Sequence, residues 1–403
     1  MRPYLDSVKF WGFPVRVVGV VLLMAAAVGA WALLGSSGGF WVRYVTLQAP
    51  DIEDFKHMPV RVVPTSSSPS ALPDARDPAW MAKVKPVWGD AALASPAALD
   101  AFLASKATTA FLVLKDGALV DARYYNGYSR ASLCKSFSMS KSVLSALIGI
   151  AQSEGVLSVS RPVGEYVPGL RDPRLAKATL EQLLDTVAGI AYRRGYAPWD
   201  DQAQMYYTAD MRGWVLDARL EAAPGTKFAQ EDISPQLLAV ALESALRRAG
   251  KAQTISAYAA SRLWGPLGAE ADALWVLDRA GDGIEKSESG FVARAIDLAR
   301  FGQLFLDEGR ANGLQIVPAQ WVAASIAPPL PGSPNLFVEG FHRKLWWGAF
   351  RNGRVRNDFY ANGHFGQRIY VAPDKRLVLV RLGSDSAGVD WTEFLGAIAD
   401  DWP

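Results

Sequence analysis

The chain has 403 residues, 50% hydrophobic and 20% charged, with a formal net charge of +2. Such a composition belongs to a globular protein of one large or two closely packed domains, and so small a charge excludes a nucleic-acid partner held by a basic surface. Three dispersed histidines (His57, His342, His364) and one cysteine, Cys134, make no metal-ligand cluster and no intramolecular disulfide, so neither metal nor cofactor is expected.

The N-terminal segment stands apart. Residues 17–42 carry no charge, and Arg2, Lys9 and Arg16 precede them. That length suits one transmembrane helix, with the basic flank in the cytoplasm and the remainder outside, as in a single-pass protein of a bacterial-type inner membrane. A cleaved signal peptide with a secreted or periplasmic product is the alternative, cut near Val28-Gly29-Ala30. The apolar run continues past Ala30 through Trp31, Ala32, Leu33 and Leu34, which favours an anchor over residues 1–42 and attachment to the membrane through it.

Residues 43–95 read as an extended linker, marked by Pro59, Pro64, Pro69, Pro73 and the run Ser66 to Ser68. The domain proper is expected over 96–403. A helix is expected at 97–105, then two strand-like runs, 109–114 and 118–125, split by Lys115-Asp116-Gly117 in a hairpin signal. A helix over 142–150 follows. Helical periodicity dominates an insert at about 160–330, with segments at 180–184, 235–249, 255–267 and 293–309. Strands return at 344–350, 367–371 and 377–382, and a last helix is expected at 390–399. Strands, a helical insert, then strands again make an α+β protein: one antiparallel sheet flanked by the terminal helices, with the insert as a helical half. Sites lie preferentially in the cleft between such halves.

At that junction stands Ser138-Met139-Ser140-Lys141. Residues three apart share a helix face, so Ser138 Oγ and Lys141 Nζ are expected within hydrogen-bonding reach. A serine hydroxyl becomes a competent nucleophile when a base removes its proton, and a neutral lysine serves as that base. The plain alternative is a serine-rich helix start with a solvated lysine. Cys134, close upstream, reads as a small buried residue.

Further pieces follow in order. They are Leu183-Leu184-Asp-Thr-Val-Ala-Gly189-Ile, Pro224-Gly225-Thr-Lys-Phe228, Ala293-Arg-Ala-Ile-Asp297-Leu-Ala-Arg300-Phe301-Gly302, and Gly363-His364-Phe-Gly366-Gln367. With the S-x-x-K tetrapeptide they resemble the serine β-lactamase and penicillin-binding protein superfamily over about residues 95–400, in the class C-like branch that includes the 6-aminohexanoate-dimer hydrolases and related esterases. The resemblance implies a β-lactamase/transpeptidase-like fold and a serine hydrolase acting on a small-molecule ester or amide. Ser138 would be acylated and Lys141 would take its proton. The backbone N–H groups of Ser138 and Gln367 would form the oxyanion hole. Gly366 would let the substrate approach the strand, and His364 would supply a polar or cationic group opposite the nucleophile.

The sequence departs from the family at its second motif. Where relatives carry a tyrosine, this chain has Gln230, followed by Glu231 and Asp232. A glutamine amide exchanges no proton near neutral pH. Three readings stay open. Lys141 is the sole base, tuned by Asp232 or Glu231; or a tyrosine from elsewhere substitutes, Tyr196 matching a loop tyrosine that lines the cleft in the nylon-oligomer branch; or the protein is catalytically weak and binds an envelope component. Glu231 and Asp232 also read as caps of the next helix. Tyr192, Tyr196, Trp199, Tyr206 and Tyr207 form an aromatic cluster expected to wall or cover the substrate.

Overall fold

The computed structural model describes residues 9–10, 13–34, 38–77, 79–84, 87–88, 91–93, 95–351 and 354–402. The chain divides into two compact units, residues 1–50 with 193–209, and residues 51–192 with 210–403.

The first unit contains the helices Val15–Leu34, Gly38–Leu47 and Asp201–Tyr207. Aromatic packing joins the last two. Phe40 stacks on Tyr44 at 5.5 Å between ring centroids, and both meet Tyr207 edge-on, at 6.0 and 5.2 Å. Tyr207 Oη donates to the Gln48 carbonyl at 3.0 Å, and Arg43 donates to that of Thr208 at 2.8 Å. The transmembrane helix expected within 1–42 is not supported: among the described residues no helix is long and apolar enough to cross a membrane. The last residues of the expected span, 38–42, belong to a separate helix, Gly38–Leu47, whose Phe40 packs on Tyr207.

The second unit is built on two antiparallel sheets. In chain order its strands are β1 (Val60–Val63), β2 (Thr108–Lys115), β3 (Ala118–Tyr124), β4 (Leu133–Lys135), β5 (Ala273–Val276), β6 (Phe291–Arg294), β7 (Gly340–Arg343), β8 (Trp346–Arg351), β9 (Arg354–Gly363), β10 (Gln367–Ala372) and β11 (Leu377–Gly383). The large sheet runs β7-β8-β9-β10-β11-β2-β3 and the small one β1-β5-β6-β4. Its principal helices are α1 (Pro96–Ser105), α2 (Ser140–Ser153), α3 (Ile233–Arg248), α4 (Ala295–Leu306) and α5 (Trp391–Asp401).

Local chemistry accounts for the boundaries. The β2–β3 hairpin turns on Asp116 and Gly117, both at positive φ, the conformation that a two-residue turn matched to strand twist requires. Ser95 Oγ accepts the Ala98 N–H to start α1, with Pro96 in its first turn. Strand β2 is buried along nearly its whole length instead of alternating, because helices cover both faces of the sheet. Phe111, Val113, Tyr370 and Leu379 face α1 and α5, joining Leu99, Trp391 and Phe394. On the other face Ile369 and Val378 meet α4 at Gly302. The segment read as an extended linker contributes to this unit: β1 pairs with β5, and Trp80 lies in the core beneath α5.

A Cβ at Gly302 would lie 2.6 Å from Ile369 and 2.7 Å from Val378. Alanine raises helix propensity by about 1 kcal/mol over glycine, whereas overpacking of a core costs about 1–3 kcal/mol. Gly302→Ala is therefore expected to lower the midpoint of thermal unfolding, and an unchanged or higher midpoint would show that α4 moves off the sheet without penalty.

Candidate active site

The nucleophile candidate sits on a strained turn. Phe137–Met139 forms a short 3₁₀ turn between β4 and α2, and Phe137 has φ of +48°, a conformation that non-glycine residues rarely adopt. Neighbouring serines hold it. Ser136 Oγ donates to the Phe291 carbonyl on β6 at 2.7 Å, while Ser140 Oγ donates to the Phe137 carbonyl at 2.6 Å and accepts the Phe291 N–H at 2.8 Å. The serine-rich run thus divides its labour: Ser136 and Ser140 are buried braces, and Ser138 faces a cleft.

That cleft is small, about 20 Å³, and Ser138, Lys141, Gln230 and Glu231 line it with Thr186, His342, Leu345, Trp347 and Asn362. The expected direct Ser138–Lys141 hydrogen bond is not formed among the described residues. Lys141 Nζ donates instead to Asp232 Oδ1 at 2.6 Å and to the Glu231 carbonyl at 3.1 Å. A carboxylate is a stronger partner for an ammonium than a hydroxyl is, which is the physical reason for the turn away from Ser138. The other oxygen, Asp232 Oδ2, accepts the Tyr192 hydroxyl at 2.6 Å.

Glu231 and Asp232 separate in role. Glu231 Oε2 accepts the Ser234 N–H at 2.8 Å, capping α3, while Asp232 turns to the lysine. Burial pushes the Glu231 carboxyl up to about 7, opposed by its bond from Ser234 and by Lys141.

A second strained element forms another wall. Lys344 and Leu345, both at positive φ, join β7 to β8. The Leu345 carbonyl accepts Ser142 Oγ at 2.9 Å, one residue beyond Lys141, and the Lys344 N–H donates to Asp185 Oδ1 at 2.9 Å. This hairpin brings His342 and Trp347 to the cleft. His342 is buried, with Nδ1 3.3 Å from Thr186 Oγ1, and burial together with nearby Lys141 lowers it to about 3, so its ring is neutral. Trp346 points the other way, packed against Phe301 and Phe305.

The Gly363–Gln367 segment holds several residues anticipated from sequence. His364 lies edge-on to Phe137 at 5.7 Å, but loss of water and the proximity of Lys135 lower its pKa, which disfavours the cationic form. Gly366, at φ +76°, is required for packing as well: a Cβ there would stand 2.3 Å from Trp391 and 2.9 Å from Arg381. The Gln367 side chain is buried and doubly bonded to the Gly383 backbone, donating to its carbonyl at 2.6 Å and accepting its N–H at 3.0 Å. Cys134 is buried and its thiol pushed up to about 12, so it stays protonated.

The aromatic cluster divides between the units. Tyr192 belongs to the second and reaches Asp232. Tyr196 belongs to the first, where its hydroxyl accepts from Gln202 at 3.1 Å and its ring meets Tyr206 edge-on. Sequence reasoning missed Thr186, His342 and Asn362 as cleft residues. Asn362 was within reach, since it immediately precedes the Gly363-His364 motif, whereas His342 carried no local signal.

A cleft between an antiparallel sheet and a helical layer, with a serine and a lysine three residues apart on its wall, defines a serine-hydrolase type of site. The Beta-lactamase family model matches residues 97–393. A 6-aminohexanoate-dimer hydrolase of Paenarthrobacter ureafaciens is 30% identical over 338 residues, covering 78% of this chain and 82% of that one. Among solved structures, a Bacillus anthracis protein provisionally assigned as a 6-aminohexanoate-dimer hydrolase superposes with a TM-score of 0.73 at 23% identity, covering 90% of this chain and 92% of that one. A penicillin binding protein from Bacillus halodurans superposes at 0.59 and 12% identity, over 75% of this chain and 99% of that one. The chain belongs to the serine β-lactamase family.

Glu231 makes stability depend on pH. Its carboxyl is raised in the folded protein, so the folded state holds this proton more tightly than the unfolded one; the contribution is full below about 4.5 and is lost as pH rises through about 7. Glu231→Gln keeps an acceptor for the Ser234 N–H. Its unfolding midpoint is expected to fall less than the wild type's between about pH 5 and about pH 7.5. Parallel curves in thermal melts would show that Glu231 is ionised throughout.

Proposed function

We propose that this protein is a serine hydrolase that cleaves a small amide or ester through an acyl-enzyme on Ser138, with Lys141 as base. The observation that carries the reading is the convergence of Ser138 and Lys141 on one cleft, with the lysine held by Asp232. The 6-aminohexanoate-dimer hydrolase similarity favours an amide. In the proposed step Ser138 Oγ bonds the acyl carbon as its proton passes to Lys141 Nζ. That proton then goes to the leaving amine or alkoxide as its bond to the acyl carbon breaks, and water releases the acid by the reverse sequence. The N–H groups of Ser138 and Gln367 would receive the oxyanion. His364 would border the acyl group as a neutral donor or acceptor. The polar lining by Thr186, Asn362 and Gln230, beside Leu345 and Trp347, suits a compact substrate with one polar end.

A second reading rests on Gln230, at the place where relatives carry a proton-shuttling tyrosine: the protein binds an envelope component and turns it over slowly or not at all. One set of variants of the full chain separates the two. Wild type treated with a fluorophosphonate is expected to gain one adduct by intact mass, absent in Ser138→Ala, which keeps its unfolding midpoint. Lys141→Ala is expected to lose about 10²–10⁴-fold in ester hydrolysis. An unlabelled, folded wild type would overturn the hydrolase reading. A large gain in ester turnover in Gln230→Tyr would favour the second.

A further inference from the structure

Lys141 presents a physical difficulty for the reading above. A base must be neutral to accept the Ser138 proton, yet Asp232 Oδ1 holds Nζ in an ion pair at 2.6 Å. The same carboxylate carries a second hydrogen bond on its other oxygen, from Tyr192 at 2.6 Å. Tyr192 stands two residues after the Gly189-Ile190 segment and reaches Asp232 from a different part of the chain than Gln230 does. A hydroxyl donor on Oδ2 draws negative charge toward itself and weakens the attraction of Oδ1 for the ammonium.

We infer that Tyr192 is a positioning residue for the proposed acylation: by donating to Asp232 it orients that carboxylate and limits its grip on Lys141, so that the lysine gives up its proton to become the base. The inference rests on the hydrolase reading and deepens it. Tyr192 takes no part in the proton transfer itself, which runs from Ser138 Oγ to Lys141 Nζ and on to the leaving group. It offsets the effect of Gln230, whose amide neither donates a titrating proton nor accepts one from the serine.

Other charged and titratable groups face the pair. Glu231 and His342 lie against Lys141, and Glu288 and His364 act on Asp232. Burial keeps His342 neutral and raises Glu288. Tyr192 donates directly to Asp232 Oδ2.

The test is the pH dependence of Ser138 labelling by a fluorophosphonate in the full-length protein, followed by intact mass. In Tyr192→Phe the ring is retained and the donor lost. The acid limb of the labelling rate is expected to move to higher pH by about one unit, a tenfold loss of rate on that limb with the alkaline plateau retained. A residue with only a structural role would lower the unfolding midpoint or the plateau and leave the limb in place, and that result overturns the inference. Asp232→Asn is expected to move the limb the opposite way. Adding Tyr192→Phe to Asp232→Asn is expected to shift it no further, since the carboxylate through which Tyr192 acts is gone. A further shift in the double variant overturns the inference even where Tyr192→Phe alone folds poorly. No labelling of the wild type at any pH overturns the hydrolase reading itself, an outcome distinct from normal labelling with unmoved limbs.

Discussion

The contact between Lys141 and Asp232 is the constraint around which the cleft is arranged. It ties the first turn of the helix that follows Ser138 to the start of the helix Ile233–Arg248. A charge-assisted bond of 2.6 Å between partly buried groups is strong, and removing either partner would strand a charge away from water. The lysine is consequently braced in the resting protein, and its amine is aimed at a carboxylate instead of the serine. Hydrogen bonds in active sites commonly tighten when substrate arrives, and in the proposed acylation this geometry would be the starting state.

Around that contact the backbone is held in unusual conformations. Phe137, Thr186, Lys344, Leu345 and Phe365 all have positive φ, and each lies at or next to the cleft or the Gly363–Gln367 segment. Such residues cost on the order of 1–3 kcal/mol each and persist where the surroundings over-determine them. The surroundings are visible here. Ser136 Oγ ties the turn to β6 at the Phe291 carbonyl, while the hydroxyls of Ser140 and Ser142 and the carboxylate of Asp185 each anchor one strained peptide. Four small polar side chains therefore place the serine, the hairpin wall and the lysine on rigid supports, as the proposed chemistry would require.

Much of the architecture was legible because it rests on local chemistry. The Asp116-Gly117 turn, the burial of the 108–115 strand, the 140–153 helix and the final helix follow from turn residues and periodicity. The strands β7 and β9 were not legible. They run through Gly340–Arg343 and Arg354–Gly363, where charged and small residues break any alternating pattern and only cross-strand pairing reveals them. Lys344 and Leu345 read as strand and form a turn, since nothing local marks a non-glycine residue at positive φ. The extended reading of residues 43–95 rested on proline and serine content, which reports flexibility of the free chain and not the strand partner that Val60–Val63 finds.

The site divides along the same line. Ser138, Lys141 and the Gly363-to-Gln367 run are recognisable because the chemistry needs fixed residue types at short fixed spacing, and short spacing is written in the chain. Whether Asp232 or Glu231 tunes the lysine was open, because both lie far away in sequence. Only folding brings Tyr192, Asp232 and Lys141 within 2.6 Å of one another in series, assigns Glu231 to a helix cap, and buries His342 as a neutral ring. Residue type determined which groups are able to transfer a proton. Their protonation and their partners depend on desolvation and on contacts across tens to hundreds of residues, and those exist only in the folded protein.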